Sequence, residues 1–286
     1  MRETSIEAKK TESTPATLML KPSKGWVSLQ LGDLWRYREL IYFLTWRDVL
    51  VRYKQTLLGA SWAVIQPVMQ MLVFNFLFGS VADISTGDIP RPVFTFAALL
   101  PWNLFSKALS DASRSLVSSA SMITKVYFPR LVIPLASTLS GVVDFAIAFL
   151  ILMGMMFYYQ VPLTSQLWAV PLFILLTLVA ALGVGLWFSA WNLHYRDVRY
   201  LLPFLTQFWL LATPIAYPLS EIAEEWQLLY SLNPMVGVVE GFRWALADGP
   251  PVDNTVLTLS ISISVLVMIS GLFYFKRMER TFADKV

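Results

Sequence analysis

The stretch "WRDVLVRYKQTLLGASW" runs from Trp46 to Trp62 and joins two different kinds of sequence. Its first half carries four charged residues: Arg47, Asp48, Arg52 and Lys54. Its second half opens an uncharged run that continues to Ala82, and only Gly59 stands between the two halves. A basic segment that leads directly into an apolar run predicts a helix at the membrane surface, beside the first membrane span.

Upstream of this run, apolar residues recur at helical spacings of three and four residues. They are Leu34, Tyr37, Leu40, Ile41, Leu44, Trp46, Val49, Leu50 and Tyr53. We therefore predict an amphipathic interface helix within residues 31–58. It serves either as a simple membrane anchor or as the place where Arg47, Arg52 and Lys54 bind an anionic headgroup, since guanidinium groups match the geometry of phosphate.

The composition places the chain among integral membrane proteins. Of its 286 residues 56% are hydrophobic and only 14% are charged, with a mean hydropathy of +0.59. Soluble domains carry about 25% charged residues. The fold class is predicted to be all-α, because backbone amides in lipid need partners within their own segment and the alternating segments of a barrel are absent. The lack of cysteine excludes disulfides and thiol chemistry.

A helix crosses the hydrocarbon layer with about 20 apolar residues. Six candidate spans meet this length: Ala60–Ala82, Val93–Ala112, Leu131–Tyr159, a segment within Val161–Leu193, Tyr200–Ser220 and Asn254–Phe275. We expect a six-helix transmembrane domain over residues 59–275, a flexible cytoplasmic tail over residues 1–30 and a second tail over residues 276–286. No apolar segment lies near Met1, so we expect no cleaved signal peptide.

The basic residues are distributed unevenly between the two sides of these spans. Of the 22 Lys and Arg residues, only Arg91 and Arg243 fall on one side. The positive-inside rule then places both termini in the cytoplasm, which agrees with an even number of spans. The predicted location is the cytoplasmic (inner) membrane of a bacterium.

The opposite side is acidic and rich in aromatic residues, especially in the segment 221–253. We expect one or two short re-entrant helices there, or an amphipathic loop that rests on the headgroups. The motif "TPIAYP" (Thr213–Pro218) breaks the fifth span near its outer end. Three residues of this region are candidates for a channel or gate: Tyr217, Trp226 and Tyr230.

The cytoplasmic loop "SMITKVYFPRL" (Ser121–Leu131) mixes charged and apolar residues. A solvated loop does not need three adjacent apolar side chains, whereas a short helix that docks into a partner's groove does. The alternative is aromatic anchoring at the membrane interface. The candidate docking residues are Lys125, Val126, Tyr127, Phe128 and Arg130.

Asp144 lies in the middle of the third span, where a charge is costly unless it is paired or faces water. It marks either a functional face or a hydrogen bond to a Ser, Thr or Trp on a neighbouring helix. A proton relay is not favoured, because no partner acid or base is apparent in another span. Trp62 and Trp102 either line a sugar path or belong to the packing and the aromatic belt.

Enzyme and nucleotide-binding motifs are missing from the sequence. There is no GxxxxGK[ST] phosphate loop, and His194 is the single histidine. We therefore expect no catalytic or metal site and no nucleic-acid partner. A membrane-bound glycosyl- or acyltransferase and an ion-driven secondary transporter remain as alternatives from other classes.

Six motifs in order resemble a known family: "RDVLVRYKQTLLGASWAVIQP", "LLPWNLFS", "KVYFPR", "YRDV", "TPIAYP" and "NPM". The chain from about Trp35 onward is similar to the membrane subunit of ABC-2-type exporters. Within that family it looks like the polysaccharide and O-antigen export permeases, with the teichoic acid export permeases as close relatives. The order of the motifs and the predicted topology carry the resemblance.

The resemblance implies an ABC-2 (type V exporter-like) fold, a homodimer and two copies of a cytoplasmic ATPase that bind ATP and Mg²⁺. The implied cargo is a glycan linked to a polyprenyl diphosphate lipid; a small molecule or another lipid is the alternative cargo. By analogy, the segment Leu34–Tyr53 is the interface helix, Ile123–Arg130 is the coupling helix and Glu221–Ala247 forms the outer gate.

Overall fold

The computed structural model describes residues 31–54, 61–82, 85–247 and 249–282, and these form helices and connecting loops. The α-helices are α1 (Leu31–Arg36), α2 (Arg38–Lys54), α3 (Ser61–Phe74), α4 (Arg91–Ser118), α5 (Ala120–Lys125), α6 (Val132–Tyr158), α7 (Val170–His194), α8 (Val198–Leu211), α9 (Glu224–Ser231), α10 (Pro234–Ala247) and α11 (Asn254–Met278). A π-helical segment, Asn75–Val81, continues α3, and 3-10 turns lie at Ser165–Ala169, Leu219–Glu221 and Glu279–Thr281.

Four helices in the described ranges are long and apolar enough to cross a membrane: Ser61–Gly79, Val132–Tyr158, Ser165–His194 and Asn254–Met278. They coincide with the first, third, fourth and sixth predicted spans. The second predicted span corresponds to α4, which has 28 residues but includes charged side chains such as Lys107 and Asp111. The fifth corresponds to α8, whose 14 residues extend for about 21 Å and so fall short of a hydrocarbon layer of roughly 30 Å.

Helix α4 is the centre of the molecule and packs against α6, α7 and α10. Every residue from Val93 to Trp102 is buried, although this stretch includes Pro101. The helix continues through Pro101 to Ser118. Because other helices surround α4 on all sides of this stretch, its apolar residues contact protein and not lipid.

A second cluster of buried residues lies at the other end of the bundle. It joins Leu44 of α2, Leu116 of α4, Leu186 of α7 and Phe275 of α11. This cluster fixes α2 against the ends of the long helices. The interface helix is therefore part of the packed structure and not only a surface anchor.

Glycines allow α7 and α11 to approach closely. A Cβ atom on Gly271 would overlap the carbonyl oxygen of Gly183, and one on Gly183 would lie 2.7 Å from the backbone nitrogen of Met268. Small residues at a helix interface let two backbones come together, which is a common source of affinity between helices in membranes.

We expect Gly271→Ala to lower the free energy of unfolding by about 1–3 kcal/mol, because the helices must separate to admit the methyl group. Gly154→Ala is the matched control, since a Cβ there would meet nothing within 4 Å. The apparent melting temperatures of both variants in one detergent test this. Equal melting temperatures would show that α7 and α11 can separate to admit the methyl group without a loss of stability.

Candidate functional site

Two polar stripes with the same spacing pair helices α2 and α6. On α2 the stripe is Thr45, Asp48 and Arg52; on α6 it is Ser137, Ser140 and Asp144. Both follow the i, i+3, i+7 pattern that places side chains on one helix face. The two helices are parallel where they touch. Thr45 donates a hydrogen bond to the carbonyl of Ala136, and Ser137 donates one to Asp48 at 3.2 Å. One turn further along, Arg52 donates to Ser140 and Asp144.

Arg52 lies at the end of this stripe and contacts three acceptor residues. Its guanidinium lies 2.7 Å from Asp144 Oδ2 and 3.0 Å from Asp111 Oδ2. It also donates to the hydroxyl and the carbonyl of Ser140. These contacts bring α2, α4 and α6 together at one point, because Asp111 belongs to α4 and Asp144 to α6.

Asp144 has partners that the sequence analysis did not identify. Besides Arg52, it lies 3.4 Å from the ammonium of Lys107 on α4, and Tyr53 donates a hydrogen bond to its other oxygen. The statement that no partner base is apparent in another span is therefore wrong. Arg52 and Lys107 supply counter-charges to Asp144, which explains how an acidic residue occurs in the middle of an apolar helix.

A cavity of about 720 Å³ opens beside this ion cluster, between α3, α4, α6 and α8. At the end formed by the cluster, its walls include five charged residues: Arg52, Lys107, Asp111, Arg114 and Asp144. Three cations face two acids among these, so the charged end carries a net positive charge in the part of the chain that the structure describes. An anionic group is favoured there over a cationic one.

The rest of the cavity wall is uncharged and mixes polar with apolar side chains, the latter including Leu100, Phe145 and Leu210. It includes Gln66, Gln70, Asn103 and Gln207, together with serine and threonine hydroxyls. The side-chain oxygen of Gln70 and the side-chain nitrogen of Asn103 are buried and have no hydrogen-bond partner among the described residues. Buried polar atoms of this kind are normally satisfied, so a water molecule or the hydroxyl groups of a ligand would complete them.

The two candidate tryptophans occupy different positions in the cavity. Trp62 on α3 lines the cavity and is 54% exposed. Trp102 also belongs to the wall but is almost fully buried, with its ring 5.5 Å from that of Phe105. More than half of Trp62 is therefore uncovered, whereas Trp102 packs inside the protein.

The structure separates the three residues predicted to bind a headgroup. Arg47 and Lys54 are seven residues apart and share one face of α2, where Lys54 is exposed and Arg47 is partly buried. Arg47 forms a 2.8 Å ion pair with Asp48. Arg52 lies on another face and is engaged with the carboxylates at the cavity.

The candidate gate residues lie around the connection that follows α8. Tyr217 lies next to Tyr230 of α9; burial raises the pKa of the Tyr217 hydroxyl, and its hydrogen bond with Tyr230 raises it further. Trp226 lies one turn before Tyr230 and is 57% exposed. Asn233 joins the end of α8 to the start of α10, since it accepts a hydrogen bond from Trp209 and donates one to Thr213.

The predicted docking helix is shorter than expected. Helix α5 ends at Lys125, and the following residues up to Arg130 are not helical. Val126 and Tyr127 are exposed, whereas Phe128 is buried in the same cluster as Phe275. The loop thus presents two apolar side chains outward and inserts the third into the protein.

Several residues of the site were missed by the sequence analysis, namely Thr45, Asp48, Lys107, Asp111, Ser137 and Ser140. A signal for part of this set does exist, because the i, i+3, i+7 polar spacing occurs in both segments. Lys107 and Asp111 also form an i, i+4 pair near the end of an apolar helix. Matching the two stripes would have suggested that α2 packs on α6.

Comparisons with known proteins cover the region that contains this site. The model of the family described as ABC-2 type transporter matches residues 39–247. The O-antigen export system permease protein RfbA of Myxococcus xanthus is 30% identical over 258 residues, which is 89% of this chain and 98% of that protein. A protein of the same name from Klebsiella pneumoniae is 26% identical over 86% of this chain and 94% of its own length. The polysialic acid transport protein KpsM of Escherichia coli is 22% identical over 82% of this chain and 91% of its own length.

Proposed function

Because the chain belongs to the ABC-2 type transporter family, we propose that it is the permease subunit of an ATP-driven exporter of lipid-linked polysaccharide. The names of the two RfbA relatives support a cargo that resembles O-antigen. We further propose that this glycan is built on a polyprenyl diphosphate lipid. One observation carries this proposal: the cavity joins a cationic end to an uncharged wall in which amides and hydroxyls alternate with apolar residues and Trp62.

The two parts of the cavity suit the two parts of such a cargo. Amide and hydroxyl side chains exchange hydrogen bonds with sugar hydroxyls, and an aromatic face packs against the C–H groups of a sugar ring. Arginine and lysine bind phosphate oxygens. The glycan would thus pass along the wall formed by Gln66, Gln70 and Asn103, while the phosphates stay near Arg52, Lys107 and Arg114.

The proposed assembly is a homodimer with two copies of a cytoplasmic ATPase, which binds ATP and Mg²⁺. Helices α3 and α8 flank the cavity and expose large apolar side chains such as Met69, Phe204 and Phe208. A second copy against these faces would cover them and close the cavity into a path. The proposed orientation has six spans, with both termini in the cytoplasm of a bacterial cell. The two further spans are α4 and α8, the latter extended across the layer by the connection that follows it.

The proposed cycle begins with capture of the diphosphate at the inner leaflet by Arg47 and Lys54, which share one face of α2. ATP binding then moves the docking loop that follows α5, and this motion opens the path. On the outer side, α9 and the buried helix α10 form the gate as re-entrant helices, with Tyr217, Trp226 and Tyr230 at its mouth.

The headgroup assignment predicts the behaviour of a double variant. Arg47→Gln with Lys54→Gln is expected to lower export by about tenfold at subsaturating substrate, which corresponds to about 1.4 kcal/mol and one charge-assisted hydrogen bond. Immunoblotting of surface polysaccharide at matched permease levels would measure this. Arg196→Gln with Arg199→Gln is the control, since it removes two exposed cations at the start of α8. An equal loss of export in both double variants would mean that export depends on the net charge of the cytoplasmic side and not on Arg47 and Lys54 in particular.

The proposed function is tested by purifying the chain from its native membrane in mild detergent. We expect an ATP-hydrolysing protein to co-purify in equal amount, and deletion of the gene to remove a surface polysaccharide. An intact, folded chain without an ATPase partner would overturn the transporter assignment. An ATPase partner with unchanged surface polysaccharide would point to a small molecule or another lipid as the cargo.

A further inference from the structure

The segment from Val126 to Leu131 connects α5 to α6 and is held at its base by the end of α11. Its outward residues are Val126, 57% exposed, and Tyr127, 79% exposed. Its inward residue Phe128 is only 6% exposed and belongs to a buried cluster with Leu131 and Phe275. The segment is hydrogen-bonded to a helix at each end, since the N–H of Val126 donates to the carbonyl of Met122 in α5 and the carbonyl of Leu131 accepts from Leu135 in α6. Between these ends the backbone is not helical, so its position also depends on the groups that contact it.

Glu279, one residue beyond α11, makes the polar contacts to this segment. Its Oε1 accepts a hydrogen bond from the backbone N–H of Arg130 at 3.2 Å. Its backbone carbonyl accepts a second hydrogen bond from the guanidinium of Arg130. Its Oε2 lies 2.6 Å from the ammonium of Lys276, and both side chains of this pair are less than one-fifth exposed.

The turn that carries Glu279 is itself anchored in the core. Phe282, three residues further on, is fully buried and packs edge-on against Phe275, with ring centroids 5.2 Å apart. Both rings belong to the cluster that contains Phe128. The end of α11 and the base of the loop therefore share one apolar cluster and one set of hydrogen bonds, across 149 residues of sequence.

We propose that Glu279 is a positioning residue that fixes the loop Val126–Leu131 on the end of α11, so that force from a docked ATPase reaches α6 and α11 together. This inference rests on the proposed function for the identity of the partner. Val126 and Tyr127 contact the partner, while Arg130 transfers the displacement to Glu279. Without this contact the loop would still bind the partner and remain joined to α6, but its displacement would not reach α11.

The first test measures the mobility of the loop in the complete chain. Because the protein contains no cysteine, Tyr127→Cys supplies a single attachment site for a nitroxide label. We expect Glu279→Ala to shorten the rotational correlation time of the label by about twofold or more, since one of the backbone anchors is lost. Lys276→Met is the matched control, because it removes the partner of Oε2 and leaves the acceptor of the Arg130 N–H. A spectrum that Glu279→Ala leaves unchanged would overturn the proposal.

The second test measures the amount of glycan exported per ATP hydrolysed by the reconstituted transporter. Glu279→Ala is expected to lower this ratio by at least roughly threefold while ATP hydrolysis continues, a coupling loss of about 0.7 kcal/mol. Glu279→Gln retains an oxygen acceptor for the Arg130 N–H and should recover much of the ratio. A merely structural role would reduce hydrolysis and export in proportion and leave the ratio constant, which would also overturn the proposal.

Failure of this inference is distinguishable from failure of the proposed function. If the unmodified chain has no ATPase partner or exports no glycan, the proposed function fails, and the label experiment still decides whether Glu279 holds the loop. If the unmodified transporter works and Glu279→Ala exports as much glycan per ATP, only the positioning role fails.

Discussion

Replacing Arg243 with Met is expected to lower the free energy of unfolding by about 3–5 kcal/mol, because the change leaves one member of a buried ion pair without its partner. Arg243 is 1% exposed, and its guanidinium lies 2.8 Å from Glu240 on the preceding turn of α10. It also donates to the carbonyl oxygen of Ile215 at 2.6 Å and lies 3.6 Å above the ring of Phe94. The variant should show a much lower melting temperature in detergent and reduced accumulation in the membrane.

Two further variants separate charge from packing at this position. Arg243→Met combined with Glu240→Gln removes both charges, so we expect it to recover part of the lost stability. Arg196→Gln removes an exposed arginine elsewhere and is expected to change stability by less than about 0.5 kcal/mol. If Arg243→Met alone were as stable as the unmodified protein, the connection between α8 and α10 would not depend on this side chain.

Asp144→Leu is expected to lower the free energy of unfolding by about 3 kcal/mol, because Arg52 and Lys107 then share the single carboxylate of Asp111. Both members of the Arg52–Asp144 pair are less than one-quarter exposed, so solvent screens the loss only in part. Denaturant unfolding in a single detergent would measure it. Export should fall as well, because the cluster forms the charged end of the cavity.

A double-mutant cycle tests whether Arg52 and Asp144 act as a pair. The variant with Arg52→Leu and Asp144→Leu keeps the balanced pair of Lys107 and Asp111, so it should be more stable than the sum of the single variants by about 2 kcal/mol. Arg47→Leu is the control, since its pair with Asp48 is more exposed and contributes less than about 1 kcal/mol. Additive effects of the two leucine substitutions would contradict the pairing.

The resemblance to ABC-2 exporters is confirmed by the family match over residues 39–247. Hydropathy located four helices that can cross a membrane and also located α4 and α8, although α4 is less apolar and α8 is shorter than expected. The motif "TPIAYP" marked the end of α8 correctly, since that helix stops at Leu211 and irregular backbone follows. Proline has no N–H to donate, so this boundary is encoded locally.

The sequence was less informative about charged residues that meet across the fold. Arg243 was counted as one of two cations on the outer side, yet it is buried beneath the connection that follows α8. Only part of the expected apolar face of α2 packs against the protein. Leu44 and Val49 are buried, whereas Trp46 and Leu50 are about half exposed. The face that packs on α6 is polar, and amphipathicity does not predict it.

The amino-acid sequence by itself determined which segments form the long apolar helices and which kind of protein this is. This is possible because a backbone in lipid must satisfy its hydrogen bonds within each segment, so helix formation depends on local residues. Only the tertiary structure decided that Arg52 of α2 meets Asp111 of α4 and Asp144 of α6, and that Glu279 meets Arg130. Apolar helix faces pack almost equally well against lipid and against one another, so the pairing of helices depends on small residues and polar contacts that become neighbours only in the folded chain.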